Sequence, residues 1–174
     1  MDANPFRRRA DGGFAVRLRD EERELLRSSA RELAETLAGE AAKDDPAVAR
    51  LFPTAYPDDL MRNMEFDGVS ATALLEERLE AIRLLERTAV QDRLTEEELE
   101  TWMRIINDIR IVLGTRLNVT EETAAEDFES GDEPGQAFLL YAYLSALLES
   151  IVRAMGDPSP GTTVIEPGFP RDES

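Results

Sequence analysis

A helix start signal followed by apolar residues at helical spacing dominates the middle of the sequence. Thr95-Glu96-Glu97-Glu98 has the form of a capping box, in which Thr95 and Glu98 each accept a hydrogen bond from the other's backbone N–H. The apolar residues that follow recur every three or four positions, as on one face of an α-helix; they are Leu99, Trp102, Ile105, Ile106, Ile109 and Leu113. The pattern predicts a helix that runs to about Leu117 and buries one side.

Three further stretches favour long helices. The first spans residues 20–43, with Asp20 as the predicted N-cap and Pro46 just beyond its end. The second begins at Ser70, its predicted cap, and runs to about residue 92. The last begins at Pro134 and ends near Gly156. The chain is therefore expected to contain about four long helices.

Two short apolar segments precede the first helix. Residues 6–10 and 14–18 favour strands, and Asp11-Gly12-Gly13 between them supplies the residues that a tight turn needs. The expected fold class is α+β and predominantly α, with an N-terminal β-hairpin packed on the helix bundle. We predict one domain over residues 4–156 and a flexible tail rich in proline and glycine over residues 157–174.

The last predicted helix differs from the others in its apolar pattern. Residues 137–148 are apolar almost all round, whereas a helix on the surface of a bundle needs only one apolar face. This pattern predicts either the central buried helix or a subunit interface. Residues 121–133, just before it, contain seven acids and no base, which indicates a solvated connector or a surface for a basic partner.

Composition excludes several classes of function. The chain has no Cys and no His, which excludes disulfides, thiol chemistry, Cys/His zinc sites and the serine–histidine relay. The formal net charge of −17, from 37 acids and 20 bases, disfavours direct binding of nucleic acid or anionic lipid.

No membrane-spanning or signal segment is expected. The apolar stretch of residues 137–148 is about half of the ~20 residues that a bilayer requires. The N-terminus has arginines but no apolar run after them. A cytoplasmic location is therefore predicted.

Several separated blocks resemble one known family. Residues 102–122, which begin at Trp102, look like the signature helix of an actinobacterial family of domains of unknown function that includes the oxidative-stress regulator AosR. The N-terminal hairpin, the segment 52–59 and the late helix with Tyr141, Leu144 and Glu149 are similar too, so the resemblance covers roughly residues 4–155. It implies a regulatory role through a protein partner, without enzymatic activity or a cofactor. A cysteine-based switch does not transfer, because this chain has no Cys.

The signature helix supplies the candidate structural or partner site. Asn107, Arg110 and Gly114 follow one helical stripe, with Gly114 expected to let another backbone approach. Arg110 is predicted to be buried and paired with a carboxylate such as Glu149 or Glu86. A buried structural network and a ligand or partner site both remain open. The candidate residues are Trp102, Asn107, Asp108, Arg110, Gly114, Arg116 and Glu149.

One acidic pattern has the spacing of a metal site. Glu76, Glu77 and Glu80 match the EExxE spacing of magnesium-dependent all-α nucleotide hydrolases. Such enzymes carry a further ExxD on a second helix, and here that spacing runs from Glu129 to Asp132 in a predicted loop. We therefore expect the three glutamates to face solvent and to bind no metal.

The favoured function is that of a non-enzymatic cytoplasmic regulatory protein that acts by protein–protein contacts. A homodimer is its simplest form. The alternatives are a carboxylate- and magnesium-dependent nucleotide hydrolase and a structural subunit of an oligomer.

Overall fold

A computed structural model describes residues 4–52, 60–120, 122–123, 128 and 131–157; residues 43 and 60–71 are described by their backbone alone. The protein is α+β and predominantly α, with a small antiparallel sheet near the N-terminus packed against four long helices, which confirms the predicted fold class. The predicted tail beyond residue 157 and the segment 53–59 lie outside the described residues.

The sheet has three strands instead of the two of the predicted hairpin. β1 (Phe6–Arg8) pairs antiparallel with β2 (Phe14–Val16), and Gly12 in the turn between them adopts a φ of +86°. β3 (Arg93–Leu94) pairs with the other edge of β2. Two residues are too few to show the alternation that identifies a strand in a sequence, so β3 was not predicted.

The long helices are α1, α3, α4 and α5. Their bounds, with those of the short α2 and of a 3-10 turn at Glu40–Asp44, are α1 Asp20–Ala38, α2 Pro46–Ala49, α3 Leu60–Thr88, α4 Glu96–Arg116 and α5 Glu133–Gly156. The capping box of α4 is present as predicted. Thr95 Oγ1 accepts from the backbone N–H of Glu98 at 3.1 Å, and the Glu98 carboxylate accepts from that of Thr95 at 2.8 Å.

Several helix boundaries differ from the predicted ones. α1 ends at Ala38, because Gly39 adopts an extended conformation and a 3-10 turn follows. Its N-cap is Arg19, whose backbone N–H donates to the Glu22 carboxylate, and Asp20 is the first helical residue. α3 begins at Leu60, well before Ser70. Gly68 obscured this start, because glycine is a poor helix former.

The centre of the fold is α4. It packs against α1, α2, α3, α5 and β3, so its apolar face meets the inner side of every other helix. Fully buried large side chains from α1, α3, α4, α5, β1 and β2, with Leu51 just after α2, form one core; they are Trp102, Phe6, Phe14, Leu26, Leu51, Ile82, Leu85, Leu99, Ile105, Ile106, Leu144 and Ile151.

A buried arginine ties α1 to the sheet and to the end of α3. Arg23 is 8% exposed although its charge favours water. Its guanidinium donates to four backbone carbonyls and one carboxylate, namely Leu18 O at 3.1 Å, Ala89 O at 2.7 Å, Gln91 O at 2.7 Å, Val16 O at 3.4 Å and Asp92 Oδ1 at 2.8 Å. This arginine therefore holds together the turn that leads into β3.

The C-terminus of α4 is closed by an asparagine in the left-handed conformation. Asn118 has a φ of +53°. The N–H of Val119 donates to Gly114 O at 2.8 Å and that of Asn118 to Thr115 O at 3.2 Å. These two bonds form a Schellman motif, in which the left-handed residue is usually glycine.

Replacing Asn118 should change stability in opposite directions for two small residues. Asn118→Gly should raise the free energy of unfolding by about 0.5 kcal/mol, because glycine adopts a positive φ without a steric penalty. Asn118→Ala should lower it by about 1 kcal/mol, because a Cβ opposes this conformation. Urea denaturation measures both, and a change of the same sign in the two variants would contradict this account of the cap.

Candidate partner-binding face

The predicted candidate residues on α4 do not form one site. Trp102 is fully buried, and its indole N–H donates to Thr88 Oγ1 at 2.8 Å. The ring of Phe6 meets it edge-on, with 6.4 Å between ring centroids. Trp102 therefore belongs to the core and is out of reach of a partner.

Within the described part of the chain, Arg110 does not make the expected ion pair with another helix. It is half-buried and donates to Asn107 Oδ1 at 3.3 Å, one turn earlier on α4. The two carboxylates proposed for it have other partners, since Glu86 pairs with Arg31 and Glu149 with Arg153. The predicted pairing of Arg110 is wrong within the part of the chain that the structure describes.

The buried carboxylate of this region belongs to Asp108. It is 8% exposed, and Arg78 of α3 donates to it from Nε at 3.1 Å. Burial raises the pKa of Asp108, while the charge of Arg78 acts in the opposite direction. The Arg78 guanidinium also lies over the ring of Phe52, at 4.9 Å from its centroid.

A small groove between α3 and α4 surrounds this pair. Its volume is about 170 Å³, and Glu77 and Arg104 form a second, exposed ion pair on its wall at 3.1 Å. Asp108 was a candidate, but Arg78 was missed. A signal existed in the sequence: Asp108 lies on the apolar stripe of Ile105, Ile109 and Val112, where a carboxylate requires a basic partner.

Gly114 and Arg116 both contact other elements of the fold at the C-terminal end of α4. A Cβ on Gly114 would lie 3.1 Å from Cε2 of Tyr141, so the space beside this glycine is taken by an aromatic ring of α5. The predicted approach of another backbone is therefore wrong. Arg116 donates to Asp45 at 3.0 Å, and this hydrogen bond is the main cause of the lowered pKa of Asp45.

The three glutamates with EExxE spacing are exposed, as predicted. Glu77 pairs with Arg104, and Glu80 pairs with Arg83 and Arg87. Asp132 of the second motif accepts from the N–H of Gly135 and caps α5. Among the described residues, no three acidic side chains lie close enough to hold a metal. The absence of metal binding stays a prediction for solution measurements.

Apolar side chains are exposed along the outward side of α5. Leu139 is 66% exposed and Val152 56%, and Ala142 and Ala146 are exposed between them. Together with the ion pair of Glu149 and Arg153, these residues form what we name the outer face of α5. Of the two predicted placements of this helix, the central buried one is wrong, because α4 takes the centre and α5 lies at the edge.

Three aromatic rings form a row at the start of α5. Phe128 and Phe138 stack with 4.5 Å between centroids and 18° between planes, and Tyr141 follows at 6.1 Å and 27°. All three side chains are partly exposed. We name these three residues the aromatic row. It lies in the sequence segment 117–152, which holds eight acids and no Lys or Arg.

By length and composition alone, α5 also passes the test for a membrane-spanning helix. This corrects the expectation that no segment is long enough. Core helices of soluble proteins have the same length and composition, and 22% of the residues in the apolar stretch of α5 are buried in this structure. Among its described residues, the exposed large apolar side chains are Leu139 and Val152.

Comparison with known proteins yields one family. The model of a family described as domain of unknown function DUF2017 matches residues 3–155. No curated protein and no solved structure matches the chain.

Proposed function

We propose, from the premise that the chain belongs to the DUF2017 family, that it is a regulatory protein without enzymatic activity that binds another protein through the outer face of α5. The observation that carries this proposal is the exposure of large apolar side chains on α5, since Leu139 is 66% exposed and Val152 is 56% exposed. Contiguous exposed apolar surface on a folded protein is typical of interaction sites.

The charge of the neighbouring sequence favours a partner with a basic surface. Residues 117–152 contribute eight negative charges and no positive one, and the whole chain carries −17. Such a field attracts a basic protein over distances of about 10 Å and raises the association rate more than the affinity. The same field opposes direct contact with nucleic acid, which makes a protein partner the better supported choice.

The resemblance to the family of AosR supports a role in transcription or in the oxidative-stress response, in the cytoplasm of an actinobacterium. Because the chain has no Cys, a redox signal would have to enter through the partner or through methionine oxidation. The alternative is a structural subunit of an oligomer, which would use the same surface to bind other copies of itself. It differs by being self-associated at all times, whereas a regulator binds and releases a different chain.

A single charge on the outer face should weaken binding. Leu139→Asp should weaken partner capture at least about tenfold, because burial of a leucine contributes about 1.5–3 kcal/mol and an aspartate there is desolvated without a partner. Val90→Asp is the matched control, since Val90 is 64% exposed on the distant turn after α3. The measurement is quantitative mass spectrometry of proteins captured from the native cell by the wild type and by each variant.

Sedimentation of the purified chain at micromolar concentration separates the forms of this proposal. A dimer that Leu139→Asp dissociates identifies a second copy as the partner. A monomer that captures one protein with the wild type and with Val90→Asp, but not with Leu139→Asp, identifies a heterologous partner. A monomer that captures no protein, or equal capture by all three chains, would overturn the proposal.

A further inference from the structure

We infer that the outward face of the three-stranded sheet binds an acidic, extended segment of a partner protein through a group of arginines. We name Arg7, Arg17 and Arg93, with Ala15 between them, the arginine face. It shares no residue with the outer face of α5 and attracts the opposite charge, so the inference goes beyond the proposed function.

The strand register places the three arginines around one alanine. Ala15 of β2 is the direct neighbour of Arg7 on β1 and of Arg93 on β3, and directly opposed residues lie on the same side of a sheet. Arg17 follows two positions after Ala15, and its N–H continues the ladder by donating to Pro5 O at 2.8 Å. The opposite side of the sheet is buried and carries Phe6, Phe14, Val16 and Leu94.

These three arginines are the ones that the described part of the chain leaves without a side-chain partner. Arg7, Arg17 and Arg93 are exposed, and their guanidinium groups make no ion pair or hydrogen bond with the described residues. Every other arginine with a described side chain makes at least one. In a chain with 37 acids and 20 bases, unpaired arginines gathered on one face indicate a surface open to an external anion.

The local charge of this region opposes that of the whole chain. Residues 4–19 contain five arginines and one acid, Asp11. The carboxylate of Asp11 accepts from the N–H of Gly13 and pairs with Arg9 at 3.3 Å; these contacts lower its pKa, and the charge of Arg93 contributes less. Salt screens charges that lie farther than about 8–10 Å, so a ligand on this face meets mainly the arginines.

The spacing of the arginines suits an extended acidic segment. Neighbouring strands lie about 4.8 Å apart, so the Cα atoms of Arg7 and Arg93 are about 10 Å apart across Ala15, and Arg17 lies about 7 Å from Ala15 along β2. Alternate carboxylates of an extended chain are also about 7 Å apart. A segment that runs along β2 over the short side chain of Ala15 therefore offers successive carboxylates to guanidinium groups, which bind them in a bidentate manner.

The rim of the face favours a peptide over a nucleic acid. Arg93 borders a depression that Glu96 and Glu98 also line, and the side chain of Asp92 is 87% exposed next to Arg93 in the sequence. Duplex DNA carries one negative charge per about 1.7 Å, so its phosphates would extend beyond the arginines onto these acids. A segment with two or three carboxylates fits within the face.

The test compares two labelled peptides that differ in charge alone. One has three glutamates at alternate positions, separated by serines, and the other has glutamines in their place. Fluorescence anisotropy measures the binding of each to the full chain. The glutamate peptide should bind about tenfold more tightly, because each exposed ion pair contributes a factor of about two to five. Added salt should weaken the glutamate peptide and leave the glutamine peptide unchanged.

Charge-removing variants locate the contact. Arg7→Gln and Arg93→Gln should each weaken the glutamate peptide about two- to fivefold. Arg83→Gln is the matched control, because it removes the same charge from a side chain that is 64% exposed on α3. Arg83→Gln should leave the affinity nearly unchanged.

A charge-adding pair gives the opposite test. Ala15→Glu places a carboxylate between Arg7 and Arg93, where cross-strand pairing with them keeps the fold, and it should remove the preference for the glutamate peptide. Ala73→Glu adds the same charge at an exposed position of α3 and should retain the preference. Circular dichroism checks each fold, and Arg17→Gln takes the place of any arginine variant that unfolds.

Equal binding of the two peptides, or equal losses in Arg7→Gln and Arg83→Gln, would overturn the inference. Tighter binding of a single-stranded oligonucleotide of equal charge, lost in Ala15→Glu, would also overturn it, because a phosphate chain would then be the ligand. The proposed function fails separately. Leu139→Asp should leave the glutamate peptide bound as tightly as before, whatever its effect on the partner of α5.

Discussion

Arg23→Met should lower the free energy of unfolding by about 3–5 kcal/mol, the largest loss that we expect from a single substitution in this chain. Four backbone carbonyls and Asp92 accept hydrogen bonds from this one side chain. Methionine fills a similar volume but has no donor, so the buried acceptors lose their partners. Urea denaturation followed by circular dichroism measures the loss.

Two further variants test the reason for that loss. Arg23→Lys keeps the charge but cannot direct donors to five acceptors, so most of the loss should remain. Arg31→Met removes an arginine from the same helix whose side chain is 50% exposed, and its effect should stay within about 0.5 kcal/mol. A loss below about 1 kcal/mol for Arg23→Met would show that water replaces the guanidinium without difficulty.

Arg78→Met should cost about 3 kcal/mol at pH 7, and the cost should shrink as the pH falls. Asp108 then remains buried and ionised without its hydrogen-bonded partner, with only the weaker influence of Arg104 nearby. Its folded-state pKa, already raised by burial, rises further when Arg78 is removed. Because the folded pKa lies above the unfolded one, the folded state is penalised above the folded pKa. The penalty is relieved as the pH falls through that value and vanishes below the unfolded pKa.

The double variant Arg78→Met with Asp108→Asn supplies the decisive comparison. It removes both charges and should recover most of the stability lost by Arg78→Met, with little dependence on pH between 4 and about 8. Thermal unfolding across that pH range measures all three chains. If Arg78→Met lowers the stability by the same amount at every pH, Arg78 contributes by packing against Phe52 and not by its charge.

The sequence was sufficient to predict those elements whose signals lie in neighbouring residues and agree with the environment of these residues in the fold. The capping box at Thr95 and the apolar stripe of α4 predicted that helix closely, because both are read within a few turns of one element. The hairpin was found for the same reason, from the alternation around Gly12 and Gly13. These features depend on residues that are near one another in the chain.

Features that depend on distant residues were not predictable in the same way. The carboxylate pairing was assigned to Arg110, whereas the structure brings Arg78 from α3 to Asp108, 30 positions away. α5 was expected at the centre or at an interface, because its apolar content does not say which sides of it are covered. Only the packing of α4 against all the other helices decides that α5 lies at the edge.

The single tryptophan allows folding and binding to be followed separately by fluorescence. Trp102 lies in the α3–α4 core with its indole N–H on Thr88, and no part of it reaches the outer face of α5. Its emission should be blue-shifted in the folded chain and red-shifted on unfolding, because the indole then meets water. A partner that only docks on α5 should leave the spectrum unchanged. A shift on binding would therefore report that docking rearranges the helices beneath, and would distinguish a regulator that changes shape from one that merely occupies a surface.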